Sequence, residues 1–332
     1  MDLFLITLQQ VALLLIFIFI GYFFRKKDII TEGGKKVLPK LLVYLFAPCY
    51  TVMSLSTVVN IQDIMQYLSL ILAGGAFTVA VIVAAIFLAK PLAKQKLLRN
   101  ILVYAFAFSN IGYFGYPVVA AIFGAETRAQ MMLFCLPMSV AINTYGYYVL
   151  TQGIEDGTAV KKRSFKEKVS FLWAPPMLGV YAGVSLGLLS SGLHFKLPKM
   201  LTDTLTVAGN CQSAPAMLIT GAVLAGVPFK KLFTSWRPYV VGVIRLLVLP
   251  MLTVGVFFLL HLCGLSGELF TLIFRLSVIV SALPVGMNTV VFPESAGQDS
   301  TEGAKICFLS YILALGTMPL VFVIMQAVAR GF

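Results

Sequence analysis

Charged side chains are scarce in this sequence of 332 residues. Only 11% of the residues are Asp, Glu, Lys or Arg, whereas a soluble domain has about 25%. Hydrophobic residues make up 59% of the chain, and the mean hydropathy is +0.94. So little charge cannot cover a water-exposed surface, which excludes an ordinary soluble protein. No polar stretch is long enough to form a separate soluble domain.

Acidic residues, histidines and paired cysteines are missing from the places where much chemistry would need them. None of the 13 Asp and Glu residues lies near the centre of an apolar segment, and the five cysteines have no CxxC spacing. These absences argue against a proton relay of buried carboxylates, a disulfide framework or zinc site, and the clustered active site of a membrane enzyme. We expect no cofactor, and metal binding stays unknown. Sodium coupling through carbonyl and amide oxygens remains open.

Long apolar segments dominate the chain instead. A membrane-spanning helix needs about 20 mostly apolar residues, and the fold class predicted here is an all-α polytopic membrane protein with ten such helices. The ten segments lie near residues 3–24, 37–58, 65–89, 100–123, 129–152, 171–191, 199–226, 236–263, 268–292 and 303–329. They form two halves of five, residues 1–153 and 171–332, joined by a linker at 154–170.

The basic residues are distributed unevenly between the loops. Eighteen lie in the odd-numbered loops: Arg25, Lys26, Lys27, Lys35, Lys36, Lys90, Lys94, Lys96, Arg99, Lys161, Lys162, Arg163, Lys166, Lys168, Lys230, Lys231, Arg237 and Lys305. The even-numbered loops carry only three, Arg128, Lys196 and Lys199. The positive-inside rule therefore predicts cytoplasmic odd loops and both termini outside the cytoplasm. The net charge of +12 then serves orientation and contact with the lipid bilayer, and it does not predict a nucleic-acid partner.

The two halves have corresponding features. An odd number of segments per half inserts the second half with the opposite orientation, which is the condition for an inverted repeat. Leu38-Pro39-Lys40 opens the second segment, and Leu197-Pro198-Lys199 opens the seventh. We therefore expect two inverted five-helix repeats.

The fourth segment of each half is interrupted by small polar residues and proline. The first interruption runs from Ser109 to Pro117 and the second from Ser281 to Asn288. A broken helix inside a bilayer leaves backbone groups unpaired, which is tolerated only beside protein or a watery cavity. Two breaks at corresponding positions indicate the midplane binding site of a transporter.

Asn110 is the first candidate for contact with a solute. Ser109, Gly112 and Pro117 accompany it, and we expect Pro117 to disrupt the helix because it cannot donate to the carbonyl of Tyr113. The following half-helix would present a positive N-terminus suited to a carboxylate, and the Asn110 amide can donate or accept. The alternative is a proline kink whose asparagine bonds a neighbouring helix.

The second break supplies Ala282, Pro284, Gly286 and Asn288 as candidates. Here Pro284 frees the carbonyl of Val280. We expect the two broken helices to cross, which would bring Asn110 and the backbone of 282–288 around one cavity. Asn288 could contact the solute or only support its neighbours.

Polar residues elsewhere could also line the path. Asn143 and Tyr147 are four residues apart and would share a helix face, and Ser213 precedes Pro215. For each of them alone, ordinary hydrogen bonding between helices is the favoured explanation. Arg245 and Arg275 lie inside apolar segments; each is either functional or long enough to reach an interface.

These residues also carry a resemblance. The chain resembles a bacterial member of the auxin efflux carrier family, which includes plant PIN auxin exporters and malonate-type carriers. The matching pieces are Ser109-Asn110 to Pro117, Ala214 to Met217, Gly221 to Ala225, Arg245 to Pro250 and Ala282 to Gly286.

The resemblance implies a ten-helix, inverted-repeat fold similar to that of bile-acid symporters and sodium/proton antiporters. It implies a scaffold of spans 1, 2, 6 and 7, a mobile transport domain of spans 3–5 and 8–10 that moves as an elevator, and a homodimer in the bacterial inner (plasma) membrane. It also implies that Asn110 contacts a substrate carboxylate.

We therefore expect a secondary transporter of a small organic anion, such as a carboxylate or an auxin-like acid. Two alternatives remain open: a sodium- or proton-coupled carrier of a neutral or cationic solute, and a non-transporting receptor built on a carrier fold.

Overall fold

The computed structural model describes residues 2–58, 68–151, 173, 175–193 and 195–332. The predicted linker at 154–170 lies outside them. The helices, in chain order, are α1 (Asp2–Lys26), α2 (Glu32–Leu41), α3 (Ala47–Val58), α4 (Leu68–Leu92), α5 (Lys96–Ala107), α6 (Tyr116–Phe134), α7 (Leu136–Ala141), α8 (Tyr147–Thr151), α9 (Pro175–Leu193), α10 (Lys199–Asn210), α11 (Ser213–Leu224), α12 (Phe229–Leu232), α13 (Arg237–Val243), α14 (Leu249–Leu262), α15 (Glu268–Ala282), α16 (Asn288–Ser295) and α17 (Thr301–Ala329). The expected all-helical class is confirmed for these residues.

Several of these helices are joined by single π-helical turns, which contain one extra residue per turn. The turn Leu42–Phe46 joins α2 to α3, Ile111–Gly115 leads into α6, Ile142–Gly146 joins α7 to α8, and Ile244–Val248 joins α13 to α14. Each turn rotates the residues that follow it relative to a regular α-helix.

Four helical stretches in the described part of the chain are long and apolar enough to cross a membrane, and a bent pair makes a fifth. The four are Glu32–Thr57, Leu68–Leu92, Arg237–Leu262 and Thr301–Ala329, and the pair is Glu126–Phe134 with Leu136–Thr151, bent by 52°. The chain is therefore a multi-pass membrane protein. The ten-span inverted repeat stays a prediction, because broken segments such as Ile111–Gly124 are too short to count on length alone.

Two helix pairs pack tightly. α1 packs along α11, and α3 packs along α9. A Cβ atom added to Gly221 would lie 1.9 Å from the carbonyl oxygen of Ile18, and one added to Gly21 would lie 2.2 Å from that of Leu218. The backbones of α1 and α11 therefore touch, as small residues permit in membrane helix pairs.

The remaining long helices pack around the two interrupted segments. α4 contacts α5, α6 and α7, while α17 contacts α13 and α15. Both interrupted segments end at a glycine with positive φ, +88° at Gly124 and +74° at Gly297. These glycines allow the chain to turn back, because L side chains rarely adopt that conformation.

Candidate functional site

The two interruptions meet in space. α5 ends at Ala107 and α15 ends at Ala282, and Ser109 and Val285 then form an antiparallel bridge. The N–H of Asn110 donates to the carbonyl of Pro284 at 2.9 Å, and the N–H of Gly286 donates to the carbonyl of Phe108 at 3.2 Å. The backbones of the two interrupted segments therefore meet at Pro284.

The position of the first break differs from the prediction. We expected the helix to unwind at Pro117, but the non-helical residues are Phe108 to Asn110. Pro117 is the second residue of α6, but the helix already begins with the π-helical turn Ile111–Gly115. Pro117 cannot donate to the carbonyl of Tyr113, which accepts the hydroxyl of Ser213 instead. The side chain of Pro117 is exposed.

A cavity lies beside the crossing, between α3, the π-helical turn Ile111–Gly115, α7 and the second break. Its volume of about 90 Å³ corresponds to roughly three water-sized groups, at about 30 Å³ for each water in the liquid. Six of the predicted site residues line it: Ser109, Asn110, Gly112, Asn143, Gly286 and Asn288.

Five other predicted site residues do not line this cavity: Pro117, Tyr147, Ser213, Ala282 and Pro284. Ala282 is buried at the end of α15. Ser213 lies next to the cavity, where its hydroxyl donates to the carbonyl of Tyr113 at 3.3 Å.

Asn143 and Tyr147 were expected to share one helix face. Asn143 lines the cavity, whereas the ring of Tyr147 packs against Phe292 with centroids 5.1 Å apart. The intervening π-helical turn explains the difference, because its i→i+5 spacing changes the register of the two side chains. Asn143 also donates to the carbonyl of Ser139 at 2.8 Å within its own helix.

Asn110 caps the second half of segment four. Its Oδ1 accepts the N–H of Tyr113 at 3.1 Å, and its Nδ2 donates to the hydroxyl of Tyr311 in α17. An asparagine amide has two N–H donors, so one donor supports packing between helices and one remains for a solute in the cavity.

Tyr113 joins the starts of the two half-helices. Its backbone N–H bonds Asn110, and its hydroxyl donates to Oδ1 of Asn288 at 3.2 Å. The N–H groups of Gly112 and Asn288 have no hydrogen-bond partner within the described residues. Two helix N-termini, each with about half a positive charge, therefore lie at the cavity wall.

Arg245 lies at the C-terminal ends of the first half-helices, α5 and α15. It lies in the turn Ile244–Val248 and is only 1% exposed, so the snorkelling explanation is wrong for this residue. Its Nη1 donates to the carbonyl of Phe106 at 3.0 Å, and its Nη2 donates to that of Val280 at 3.2 Å. The carbonyl that Pro284 was expected to free is thus bonded to a guanidinium. Arg275, by contrast, is exposed.

Sequence reasoning missed several residues that complete the site. The hydroxyl of Tyr50 in α3 donates to the carbonyl of Gly112 at 3.4 Å. Tyr311 supports Asn110 from α17. The available signal was a tyrosine inside an apolar segment, but tyrosines are too common in membrane helices to single these two out. Gln212, one of the polar residues of segment seven that could line the path, does line the cavity.

Comparison with known proteins shows the family of this chain. The family described as "Membrane transport protein" matches residues 6–322. An uncharacterized transporter of Methanocaldococcus jannaschii is 25% identical over 289 residues, covering 86% of this chain and 88% of the relative. An uncharacterized transporter of Methanothermobacter thermautotrophicus is 24% identical over 219 residues, covering 66% of each chain. The chain belongs to the membrane transport protein family, which confirms the resemblance to auxin efflux carriers and identifies it as a membrane transporter.

Proposed function

We propose that the protein is a secondary transporter of a small organic anion and that the anion binds in the cavity at the crossing. One observation carries this proposal. The two half-helix N-termini line the cavity, whereas Arg245 binds carbonyl oxygens at the two C-terminal ends. The ends that favour anions are therefore available to a solute, and the ends that favour cations are occupied.

The lining of the cavity supports an anion over a neutral or cationic solute. Its polar groups are amides, hydroxyls and backbone N–H groups, and no Asp or Glu is among the described residues that line it. A cation would lack a counter-charge there, whereas a carboxylate would receive hydrogen bonds from Asn110 and the N–H of Gly112.

Arg245 also bears on sodium coupling. A sodium ion held at the broken helices would need carbonyl oxygens, and those of Phe106 and Val280 already accept hydrogen bonds from the guanidinium. We therefore favour transport that does not depend on sodium.

The volume of the cavity favours a short carboxylate. Space for roughly three water-sized groups suits an acid with a few carbon atoms. An auxin-like acid with a fused ring system would need the cavity to widen, so we place it second.

The helix pairings support elevator-type movement. The pair α1 and α11 belongs to segments 1 and 7, and the pair α3 and α9 belongs to segments 2 and 6. An inverted repeat would relate segment 1 to segment 6 and segment 2 to segment 7. The two pairs are then equivalent. In our proposal these four segments form the scaffold and segments 3–5 and 8–10 move, with the hydrogen bonds from Tyr50 and Ser213 crossing between the two groups. A homodimer in the inner membrane, with both termini outside the cytoplasm, is part of the same proposal.

The test is uptake of radiolabelled short carboxylates into proteoliposomes that contain the purified protein, with and without a sodium gradient. We expect uptake of at least one carboxylate, counterflow when unlabelled acid is loaded inside, and no effect of sodium. Tyr50→Phe, which loses one hydrogen bond between the proposed groups, provides a variant for comparison. Carboxylate binding without any counterflow would favour the non-transporting receptor.

A further inference from the structure

Arg245 is the only charged side chain among the buried residues that the structure describes. None of the ion pairs found in that part of the chain includes it, and its Nε has no hydrogen-bond partner there. Arginine is not deprotonated in proteins. Within the described residues, Arg245 therefore holds a buried positive charge with no carboxylate paired to it.

Only partial charges offset this guanidinium. Phe106 and Val280 lie in the last turns of α5 and α15, and each helix C-terminus carries about half a negative charge. The two ends stabilise the cation locally. A helix dipole has no net charge, however, so the crossing as a whole retains one positive charge.

We propose that Arg245 makes the empty carrier positively charged within the membrane, and that a bound monovalent anion neutralises it. The inference rests on the proposed function, because Arg245 lies in segment 8 of the group of helices that we propose to move. Charge then crosses the membrane field when the empty carrier reorients, whereas the carrier loaded with a monovalent anion reorients as a neutral body.

This arrangement specifies the class of substrate and the voltage-dependent step. A neutral solute would leave the positive charge uncompensated, and a dianion would reverse its sign, so a monovalent organic anion fits best. Moving one elementary charge through the whole field shifts an equilibrium by at most about 50-fold per 100 mV. The membrane voltage would therefore act on the step in which the empty carrier reorients.

Three variants separate the charge of Arg245 from its hydrogen bonds. Arg245→Lys retains the charge but cannot reproduce the planar fork that reaches both carbonyls. Arg245→Gln retains donors and removes the charge. Arg275→Gln is the matched control, because it removes an exposed arginine from α15 in the same group of helices.

The experiment measures transient charge movement after voltage steps in planar bilayers that contain the purified protein and no organic anion. We expect a saturating charge–voltage curve for the wild type, Arg245→Lys and Arg275→Gln, and none for Arg245→Gln. Acetate, lactate and benzoate are then added one at a time, and the acid that binds should suppress the wild-type charge movement. This suppression tests the proposal even if every Arg245 variant fails to fold.

Two results would overturn the inference: no charge movement in a wild-type protein that binds or transports a carboxylate, or an unchanged curve in a folded Arg245→Gln. Both leave the proposed function intact. Charge movement that depends on Arg245 but responds to no carboxylate would instead count against anion transport while retaining the role of Arg245.

Discussion

The hydroxyl of Tyr113 donates a hydrogen bond to Oδ1 of Asn288 at 3.2 Å, across 175 residues of sequence. Tyr113 belongs to the first interrupted segment, and Asn288 is the first residue of α16 in the second. This contact, together with the bond from the Tyr113 N–H to Asn110, fixes the two helix N-termini at one cavity.

Tyr113→Phe removes this hydroxyl and keeps the ring. We expect the free energy of unfolding to fall by about 0.5–1.5 kcal/mol, the range for one net hydrogen bond, together with weaker anion binding. Thermal denaturation in detergent measures the first effect. Tyr181→Phe, at a tyrosine that is 42% exposed on α9, should behave as wild type. Equal denaturation of Tyr113→Phe and wild type would mean that the contact adds nothing to the crossing.

Asn110→Ala tests the solute contact directly. A hydrogen bond to a charged group contributes about 1.5–3 kcal/mol, so we expect the Kd for the best carboxylate to rise about 10- to 150-fold. Asn110→Asp should bind more weakly still, because it places a negative charge beside the anion. Isothermal titration of each purified variant measures this. Unchanged affinity in an intact Asn110→Ala protein would mean that Asn110 does not contact the anion and serves only the packing contact with Tyr311.

Gly221→Ala tests the close contact between α1 and α11. The added Cβ would lie 1.9 Å from the carbonyl oxygen of Ile18, so the helices must separate, and overpacking of this kind costs about 1–3 kcal/mol. We expect a lower denaturation temperature and slower transport. Gly255→Ala and Gly316→Ala are controls, because no atom lies within 4 Å of a Cβ at either position. Both controls should be as stable as wild type or more so, because alanine favours the helix more than glycine does. Equal stability of Gly221→Ala and the two controls would mean that the contact between α1 and α11 adapts to the added methyl group.

The ion pair between Lys35 and Glu294 joins the proposed scaffold to the proposed moving group of helices. Lys35 Nζ of α2 lies 3.7 Å from Glu294 Oε1 of α16, at the side that the loop charges predict to be cytoplasmic. We expect Glu294→Gln to weaken this contact by about 0.2–1 kcal/mol and to change the transport rate. Glu302→Gln is the matched control, because Glu302 pairs with Lys305 inside one helix. Equal rates in the two variants would exclude a role for the Lys35 contact in the movement.

The sequence was sufficient to predict the helical class, the two interruptions and their meeting, because proline, glycine and asparagine inside an apolar segment mark unpaired backbone. It located the second break at Pro284 correctly. The first break lies at the Ser109–Asn110 end of the predicted stretch, whereas Pro117, which we expected to disrupt the helix, lies within it. Which of several prolines and glycines breaks a helix depends on packing that one segment does not encode.

The role of Arg245 was also beyond local sequence reasoning. Its position in an apolar segment identified it as unusual, but its partners are backbone carbonyls of Phe106 and Val280, which any residue type could supply. Contacts of this kind leave no pattern in the side chains. The single π-helical turn Ile142–Gly146, which places Asn143 and Tyr147 on different faces, likewise leaves no recognisable pattern in the sequence.

The central claim is that the cavity selects a small anion, and ligand-induced thermal stabilisation tests it most directly. Purified wild-type protein would be denatured in the presence of short carboxylic acids and of their uncharged amides, in sodium and in choline buffers. We predict that at least one carboxylate raises the denaturation temperature, that its amide does not, and that sodium makes no difference. Equal stabilisation by the amide, or stabilisation only in sodium, would contradict the account.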